Sequence, residues 1–235
     1  MVEVSDGASC ADALKEGLSG KRFKAAIACK AGDTLLDLTA PVPTTAETLT
    51  LTPVTADTPE GLGLIRHSAA HVMAAAVKKL FPAAKVTIGP SIENGFYYDF
   101  DAPFSFTQEN LDALEAEMKK IVKADLPVEK RFITVEEGRE IFKGQTYKLE
   151  LLEEYAEKGW QLSVYRQGDF TDLCAGPHLM STGAVKAVKL LSTASAYWRG
   201  DAARDSLCRV YGTAYPKAAE LEAYLNMLEE AKKRD

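Results

Sequence analysis

Cysteine and histidine are scarce in this chain of 235 residues, which contains four cysteines and three histidines. No two cysteines form a Cys-x-x-Cys pair, so the sequence shows neither a zinc-ribbon nor a thioredoxin motif. No run of about eighteen apolar residues indicates a membrane-spanning helix. The start lacks the basic segment and apolar run of a secretory signal. We therefore predict a cytosolic protein that does not act at a membrane and has no structural disulfides.

The charge balance is acidic. A formal net charge of -6 argues against indiscriminate nucleic-acid binding, which usually needs a broad basic face. Local lysine clusters remain, such as Lys119, Lys120 and Lys123, and each is most simply a solvated surface. With 46% hydrophobic residues, the chain has enough apolar material for one or two domains with a core.

The order of predicted helices and strands indicates an α+β fold with four consecutive segments. Residues 1–56 combine one helix (CADALKEGL) with two strands (FKAAIAC and ETLTLTPV), compatible with a small ubiquitin-like β-grasp domain. Residues 57–63, rich in Pro and Gly, are predicted to be a linker. Residues 64–215 form a larger α+β domain. Residues 216–235 form a helix without a stop signal, which we expect to lead into a further part of the natural chain.

The larger domain is predicted to begin with a helix from about Leu64 to just before Pro82. Thr107 and Thr134 are predicted caps of two further helices, and YKLELLEEYAEKG is predicted to be a helix that ends at Gly159. Strands are predicted at KVTIG, GFYYDF, PVEKRFI, WQLSVYRQ, VKAVKLLS and LCRVYGTAY. Helices and strands are therefore mixed irregularly along this domain.

All three histidines fall in two short motifs. His67 and His71 stand four apart in a predicted helix, so both rings should lie on one face. The second motif, DLCAGPHLMSTG, is predicted to be a tight loop that presents Asp172, Cys174 and His178 together, because its Gly-Pro pair prevents a regular helix. Either motif alone is compatible with ordinary structural histidines. Together they favour one functional pocket.

Two chemistries use such a set. Three imidazoles and one thiolate suit tetrahedral zinc, although a His-Glu-x-x-His peptidase is disfavoured because Ser68 occupies the position of its glutamate. Without metal, a histidine can position or deprotonate water while Asp172 holds its tautomer. Cys174 could act as a nucleophile only if a neighbouring imidazole lowered its pKa. The residues by themselves do not decide between these alternatives.

Other polar candidates have weaker signals. Taken alone, Lys148 is most simply a surface lysine and Tyr98 a strand aromatic. Trp198 and Arg199, in AYWRGD, suit stacking on a base or binding of phosphate. An equally good interpretation is a core tryptophan beside a surface ion pair between Arg199 and Asp201.

Five motifs in a fixed order are similar to those of one protein family. RHSAAH, IGPSIENGFYYDFD, DLCAGPHLMSTG, AYWRGD and RVYGTAY resemble the N-terminal half of bacterial-type threonyl-tRNA synthetases, and the resemblance covers almost the whole chain. It implies a TGS domain, which is a ubiquitin-like module, at residues 1–56. It implies an editing domain after the linker, and it places the class II catalytic domain outside this sequence.

The resemblance implies hydrolytic editing. Serine lacks only a methyl group of threonine, which alters binding by about 1–3 kcal/mol, so a second site is needed to remove seryl esters. The implied partners are tRNA(Thr) with its 3′ seryl-adenosine end and the remainder of the synthetase chain, with a homodimer for the full-length enzyme. Editing is expected without a cofactor, whereas ATP, Mg and Zn are expected only in the absent catalytic domain.

The family's functional residues match seven positions. These are His67, His71, Lys148, Asp172, Cys174 and His178 as catalytic residues and Tyr98 as a substrate-binding residue, a role also assigned here to Trp198 and Arg199. Ala175 departs from the family, which often has arginine there, and this puts a contact to the tRNA end in doubt.

Two alternatives stay open. One is zinc-dependent editing of another aminoacyl-tRNA by His67, His71, Cys174 and His178, as in the related alanyl-tRNA editing domains. The other is a non-catalytic RNA-binding module.

Overall fold

The computed structural model of the chain describes residues 3–45 and 48–234, which contain seven α-helices and eleven β-strands. This confirms the predicted α+β fold. No helix in this part of the chain is long and apolar enough to cross a membrane. Three buried apolar clusters form the core, and the largest surrounds the helix that carries the first histidine motif.

The first 56 residues contain two helices and a small antiparallel sheet. The elements are α1 (Cys10–Gly17), α2 (Gly20–Ala25), β1 (Ala26–Ala31), β2 (Thr34–Leu36) and β3 (Leu51–Thr55), and the strand order is β2-β1-β3. Ser9 and Asp12 form a capping box at the start of α1, which explains why this short helix is stable there. A small cluster that includes Cys10, Leu14 and Cys29 packs the helix against the sheet.

Two strand predictions in this unit need adjustment. The predicted strand FKAAIAC begins only at Ala26, because Phe23 and its neighbours complete α2. The predicted strand ETLTLTPV includes Glu47, which lies outside the described residues, and its described part pairs from Leu51 onward.

Helix α3 (Pro59–Leu80) is the centre of the molecule. The prediction that it begins near Leu64 was wrong by five residues, so part of the predicted linker forms its first turns. The Thr58 side chain accepts a hydrogen bond from the Gly61 backbone and Pro59 occupies the first turn, and these N-terminal signals outweigh the nearby glycines. Gly61 is required for packing, since a Cβ there would overlap the Thr55 carbonyl. The division into domains stays a prediction.

A five-stranded antiparallel sheet lies beside α3. Its strands are β4 (Lys85–Val86), β5 (Ser91–Ile92), β6 (Gly95–Asp101), β10 (Ala187–Tyr197) and β11 (Ser206–Tyr215), in the order β10-β11-β6-β4 with β5 on β6. Helix α4 (Gln108–Ala124) begins at a Thr107 capping box, as predicted, and packs on α3. The predicted strand KVTIG is reduced to its first two residues.

A second antiparallel sheet is formed by the middle part of the chain. It consists of β7 (Val128–Phe132), β8 (Ser163–Gln167) and β9 (Phe170–Leu173), with β8 in the middle. Helices α5 (Val135–Ile141) and α6 (Thr146–Glu157) supply buried residues to its apolar cluster. Strand β9 was not predicted, and it places Asp172 on a strand rather than in a loop. Helix α7 (Ala218–Arg234) follows and contacts β10 and β11.

Candidate active site

The first histidine pair lies where its spacing predicts. Both residues are on α3, and the ring centroids of His67 and His71 are 4.9 Å apart. His71 is 6% exposed, so the pair points into the molecule rather than to solvent. Small residues of α3, including Ala69, Ala70 and Ala74, are fully buried and belong to the same apolar cluster as residues of the five-stranded sheet.

The second motif reaches the same place from β9. Its loop turns sharply at Gly176, which has φ +80° and lies against Tyr165, so a Cβ there would overlap the tyrosine hydroxyl. The turn brings the His178 ring to a centroid distance of 4.3 Å from His67 and 4.2 Å from His71. The structure therefore brings the two predicted motifs together.

The thiol lies between two of the imidazoles. Cys174 Sγ is 3.2 Å from His67 Nε2 and 3.4 Å from His178 Nε2. The backbone N–H of Gly176 also donates to this sulfur at 3.3 Å. One potential ligand atom from each of the three histidines and the cysteine lies within 4.8 Å of the others.

Each histidine has a second partner that orients its ring. His71 Nδ1 lies 3.4 Å from Asp172 Oδ2, and His178 Nδ1 lies 2.9 Å from the Ser68 hydroxyl. His67 is hydrogen-bonded to the backbone of Gly89. Burial lowers the pKa of His67, and this hydrogen bond raises it by a smaller amount. These partners hold one side of each ring.

A buried polar group closes one end of the pocket. Lys148, on α6, is only 1% exposed, and its Nζ lies 2.5 Å from Asp172 Oδ1 and donates to the Tyr98 hydroxyl at 3.1 Å. Tyr98 donates to Asp172 Oδ2 at 2.9 Å, and Lys148 also donates to the Thr87 carbonyl. The residue-based interpretation of Lys148 as a surface lysine was wrong, whereas the family resemblance predicted its position in the pocket. Among the described residues, Asp172 Oδ1 has this ion pair but no directed hydrogen bond.

Burial sets the protonation of the cluster. It lowers the pKa of His71 and His178 well below the usual 6.5, and it lowers the pKa of His67 less strongly. Burial also raises the pKa of Cys174 to about 12. At neutral pH without metal, the imidazoles are therefore neutral and the thiol is protonated, which disfavours Cys174 as the nucleophile.

His67, His71 and Cys174 of the cluster line a cavity of about 430 Å³ that is open to solvent. This volume is within the range of small-molecule sites. Its lining includes His67, His71, Cys174 and the Lys148–Asp172 pair, together with the aromatic residues Tyr155 and Trp160, whereas His178 lies behind the other two imidazoles. Trp160 is 56% exposed and stacks on Tyr155 at 5.2 Å. Sequence reasoning did not find these two aromatics, because only the fold brings the end of α6 to the pocket.

Trp198 and Arg199 do not line this cavity. Trp198 is 1% exposed in the second core cluster, where its indole N–H lies 3.2 Å from Glu150, so stacking on a base is not available to it here. Arg199 pairs with Glu150 and Glu154, not with the predicted Asp201. The position of Trp198 agrees with the core interpretation, and Arg199 has different acidic partners from the one expected, while its assignment to substrate binding stays a prediction.

The donor set also fits a metal ion. Tetrahedral zinc with nitrogen at about 2.0–2.1 Å and sulfur at about 2.3 Å separates neighbouring ligand atoms by roughly 3.3–3.8 Å. The two nitrogen–sulfur distances, 3.2 and 3.4 Å, are close to this spacing. The carboxylate behind His71 and the hydroxyl behind His178 resemble the outer partners of metal-bound imidazoles. The four residues thus form a candidate metal site.

Part of this pocket lies in a segment that matches a known protein family. Residues 162–211 match the family described as the threonyl and alanyl tRNA synthetase second additional domain. This segment includes Asp172 and Cys174, which line the cavity, and His178 of the histidine–cysteine cluster.

Comparison with curated proteins extends the match to the whole chain. It is 59% identical over 237 aligned residues to the threonine–tRNA ligase of Oleidesulfovibrio alaskensis, covering 100% of this chain and 36% of that protein. It is 54% identical to the threonine–tRNA ligase of Nitratidesulfovibrio vulgaris and 48% identical to that of Clostridium tetani, with the same coverage. The resemblance predicted from the motifs is confirmed: the chain is similar to bacterial threonine–tRNA ligases and spans about a third of their length.

Proposed function

We propose that this chain hydrolyses the ester between serine and the 3′ adenosine of mischarged tRNA(Thr). It would do so as the N-terminal part of a threonine–tRNA ligase whose aminoacylation domain lies outside this sequence. One observation carries the proposal: three neutral imidazoles converge, and two of them, His67 and His71, line a ligand-sized cavity together with a buried lysine–carboxylate pair. The likeness to threonine–tRNA ligases supports tRNA as the partner.

Water is the proposed nucleophile. His71 is the best general base, because its Nδ1 faces Asp172 and its other ring nitrogen is left to accept a proton. The attacking water loses a proton to this imidazole while its oxygen bonds to the ester carbonyl carbon. The tetrahedral intermediate then collapses, the ribose oxygen leaves, and the proton passes from the imidazole to that oxygen. The products are free serine and uncharged tRNA.

Charge and hydrogen bonds in the pocket favour this reaction. Lys148, which lines the cavity, is the proposed source of positive potential for the carbonyl oxygen as it gains charge, while the Tyr98 hydroxyl donates to Asp172 and holds it in place. Burial lowers the pKa of His67 and of His178, so both imidazoles stay neutral and can hydrogen-bond to water without taking its proton. Selection of serine over threonine is proposed to depend on size, with the additional methyl group of threonine hindering productive placement of the ester.

A zinc-dependent alternative is favoured by the three-histidine, one-cysteine donor set. A bound zinc ion would supply acidified water at neutral pH. However, catalytic zinc sites keep one position open and use three protein ligands, whereas four converge here. Filling all four positions would give a closed, structural site, so the water-and-imidazole route is the better account.

The test is release of amino acid from two purified substrates. The chain should release serine from seryl-tRNA(Thr) much faster than threonine from threonyl-tRNA(Thr), and His71→Ala should abolish the difference. Equal rates for both substrates would contradict editing. Undiminished turnover by a His67→Ala/His178→Ala double variant would favour the non-catalytic RNA-binding alternative.

Metal analysis of the same preparations separates the two hydrolytic routes. Stoichiometric zinc that is lost together with activity in His71→Ala would favour the zinc-dependent alternative. Full activity after chelation and removal of metal would support the proposed route.

A further inference from the structure

The loop that carries Cys174 and His178 is held by hydrogen bonds from residues that do not line the cavity. The Ala175 carbonyl accepts a hydrogen bond from Lys130 Nζ at 3.1 Å. The His178 backbone N–H donates to Asp37 Oδ1 at 2.6 Å. Lys130 is on β7 of the larger domain, whereas Asp37 comes from the first 56 residues, more than a hundred positions away in sequence.

Asp37 is well fixed. It follows β2 directly, its side chain is 5% exposed, and the next residue, Leu38, is buried in the core of the first unit. Its second oxygen accepts a hydrogen bond from the Tyr165 hydroxyl at 2.6 Å. Both carboxylate oxygens are thus bonded to the larger domain, and such charge-assisted bonds are stronger than neutral ones.

The two bonds control the same imidazole from two sides. One fixes the backbone of His178, and the other fixes Tyr165, whose ring packs edge-on against the His178 ring with centroids 4.5 Å apart. Asp37 is not among the residues that line the cavity, so it can influence the site only through the residues that it holds, His178 and Tyr165.

We propose that Asp37 is a positioning residue of the hydrolytic site, so that the first unit contributes to catalysis by orienting His178 toward Cys174. This rests on the proposed hydrolytic function. Catalytic groups must be held closely, since a displacement of about 1 Å can lower a rate by roughly a hundredfold. Loss of Asp37 should free the His178 backbone and the Tyr165 ring together.

The experiment compares three variants of the full chain in seryl-tRNA deacylation. Asp37→Ala removes both acceptors and should lower kcat by about 10- to 100-fold, with KM within a factor of two. Asp37→Asn should keep most of the rate, because its amide can accept from the His178 N–H and donate to the Tyr165 oxygen. Asp33→Ala is the matched control, since this aspartate is exposed in the same unit.

The results that would overturn the inference are specific. A kcat for Asp37→Ala within twofold of wild type would do so, as would equal losses in Asp37→Ala and Asp37→Asn. Nuclear magnetic resonance signals of the His178 ring and backbone N–H give a readout that needs no substrate: Asp37→Ala should move them and Asp37→Asn should largely restore them. If the wild type released no serine, the hydrolytic function would fail. Unmoved His178 signals in Asp37→Ala would instead refute the positioning.

Discussion

Lys148 and Asp172 form a buried ion pair whose two charges depend on each other. Their side chains are each 2% exposed, and Nζ lies 2.5 Å from Oδ1. Removing one partner of such a pair typically costs about 3–5 kcal/mol, because the remaining charge is buried without compensation. A domain has roughly 5–15 kcal/mol of stability in total, so this loss is large. We therefore expect Lys148→Met and Asp172→Asn each to be severely destabilised.

The double variant tests the physical cause. Lys148→Met with Asp172→Asn removes both charges, so the combined loss should be smaller than the sum of the single losses by about 2 kcal/mol or more. The recovery should be partial, since Tyr98 and the Thr87 carbonyl also lose their lysine donor. Urea unfolding followed by circular dichroism measures all three. Lys158→Met removes an exposed pair with Glu154 and should barely move the midpoint.

Two results would refute this reasoning. One is a loss below about 1 kcal/mol for Lys148→Met, which would indicate that water solvates the remaining carboxylate. The other is simple additivity of the two single losses, which would show that the charges do not interact.

Further predictions concern pH and the glycine turn. His71 and His178 are held neutral, so the unfolded chain takes up protons below pH 6.5 that the folded chain does not. Stability should thus be full near pH 8 and fall by about 3 kcal/mol by pH 5.5, roughly 1.4 kcal/mol per histidine; a flat profile in denaturant unfolding would contradict this. The acid limb of the deacylation rate should lie below pH 6.5, and a midpoint at or above 6.5 in a pH–rate series would show that these imidazoles are not buried neutral bases. Gly176→Ala should lower both stability and kcat more than Gly144→Ala, because both have φ +80° but only the former would overlap Tyr165; equal effects in thermal unfolding and deacylation would argue against that contact.

The part of the site that sequence predicts is the part governed by local rules. Spacing of four on a helix placed His67 and His71 on one face, and the predicted caps Thr107 and Thr134 located the starts of two helices. The convergence of Cys174 and His178 with that helix was a hypothesis from residue type, and the geometry agrees with it.

The remainder depends on contacts between distant segments. No local pattern distinguishes Lys148 from a surface lysine, because its burial is produced by β6 and β9 approaching α6. Trp198 followed by arginine is compatible equally with RNA binding and with a core position, and only packing decides. The early start of α3 is a different case: Thr58 and Pro59 are recognisable helix signals that the glycine content obscured.

The hydrogen bonds that join Asp37 and Ser68 to His178 also affect the order in which the chain folds. The groups that orient this imidazole are separated by 141 and 110 positions in sequence. Contacts of such long range form late, since the intervening chain must first be ordered. During synthesis the ribosome must therefore release the chain at least as far as His178 before the pocket can assemble. We expect partly synthesised chains to have helices and strands but no organised thiol–imidazole cluster.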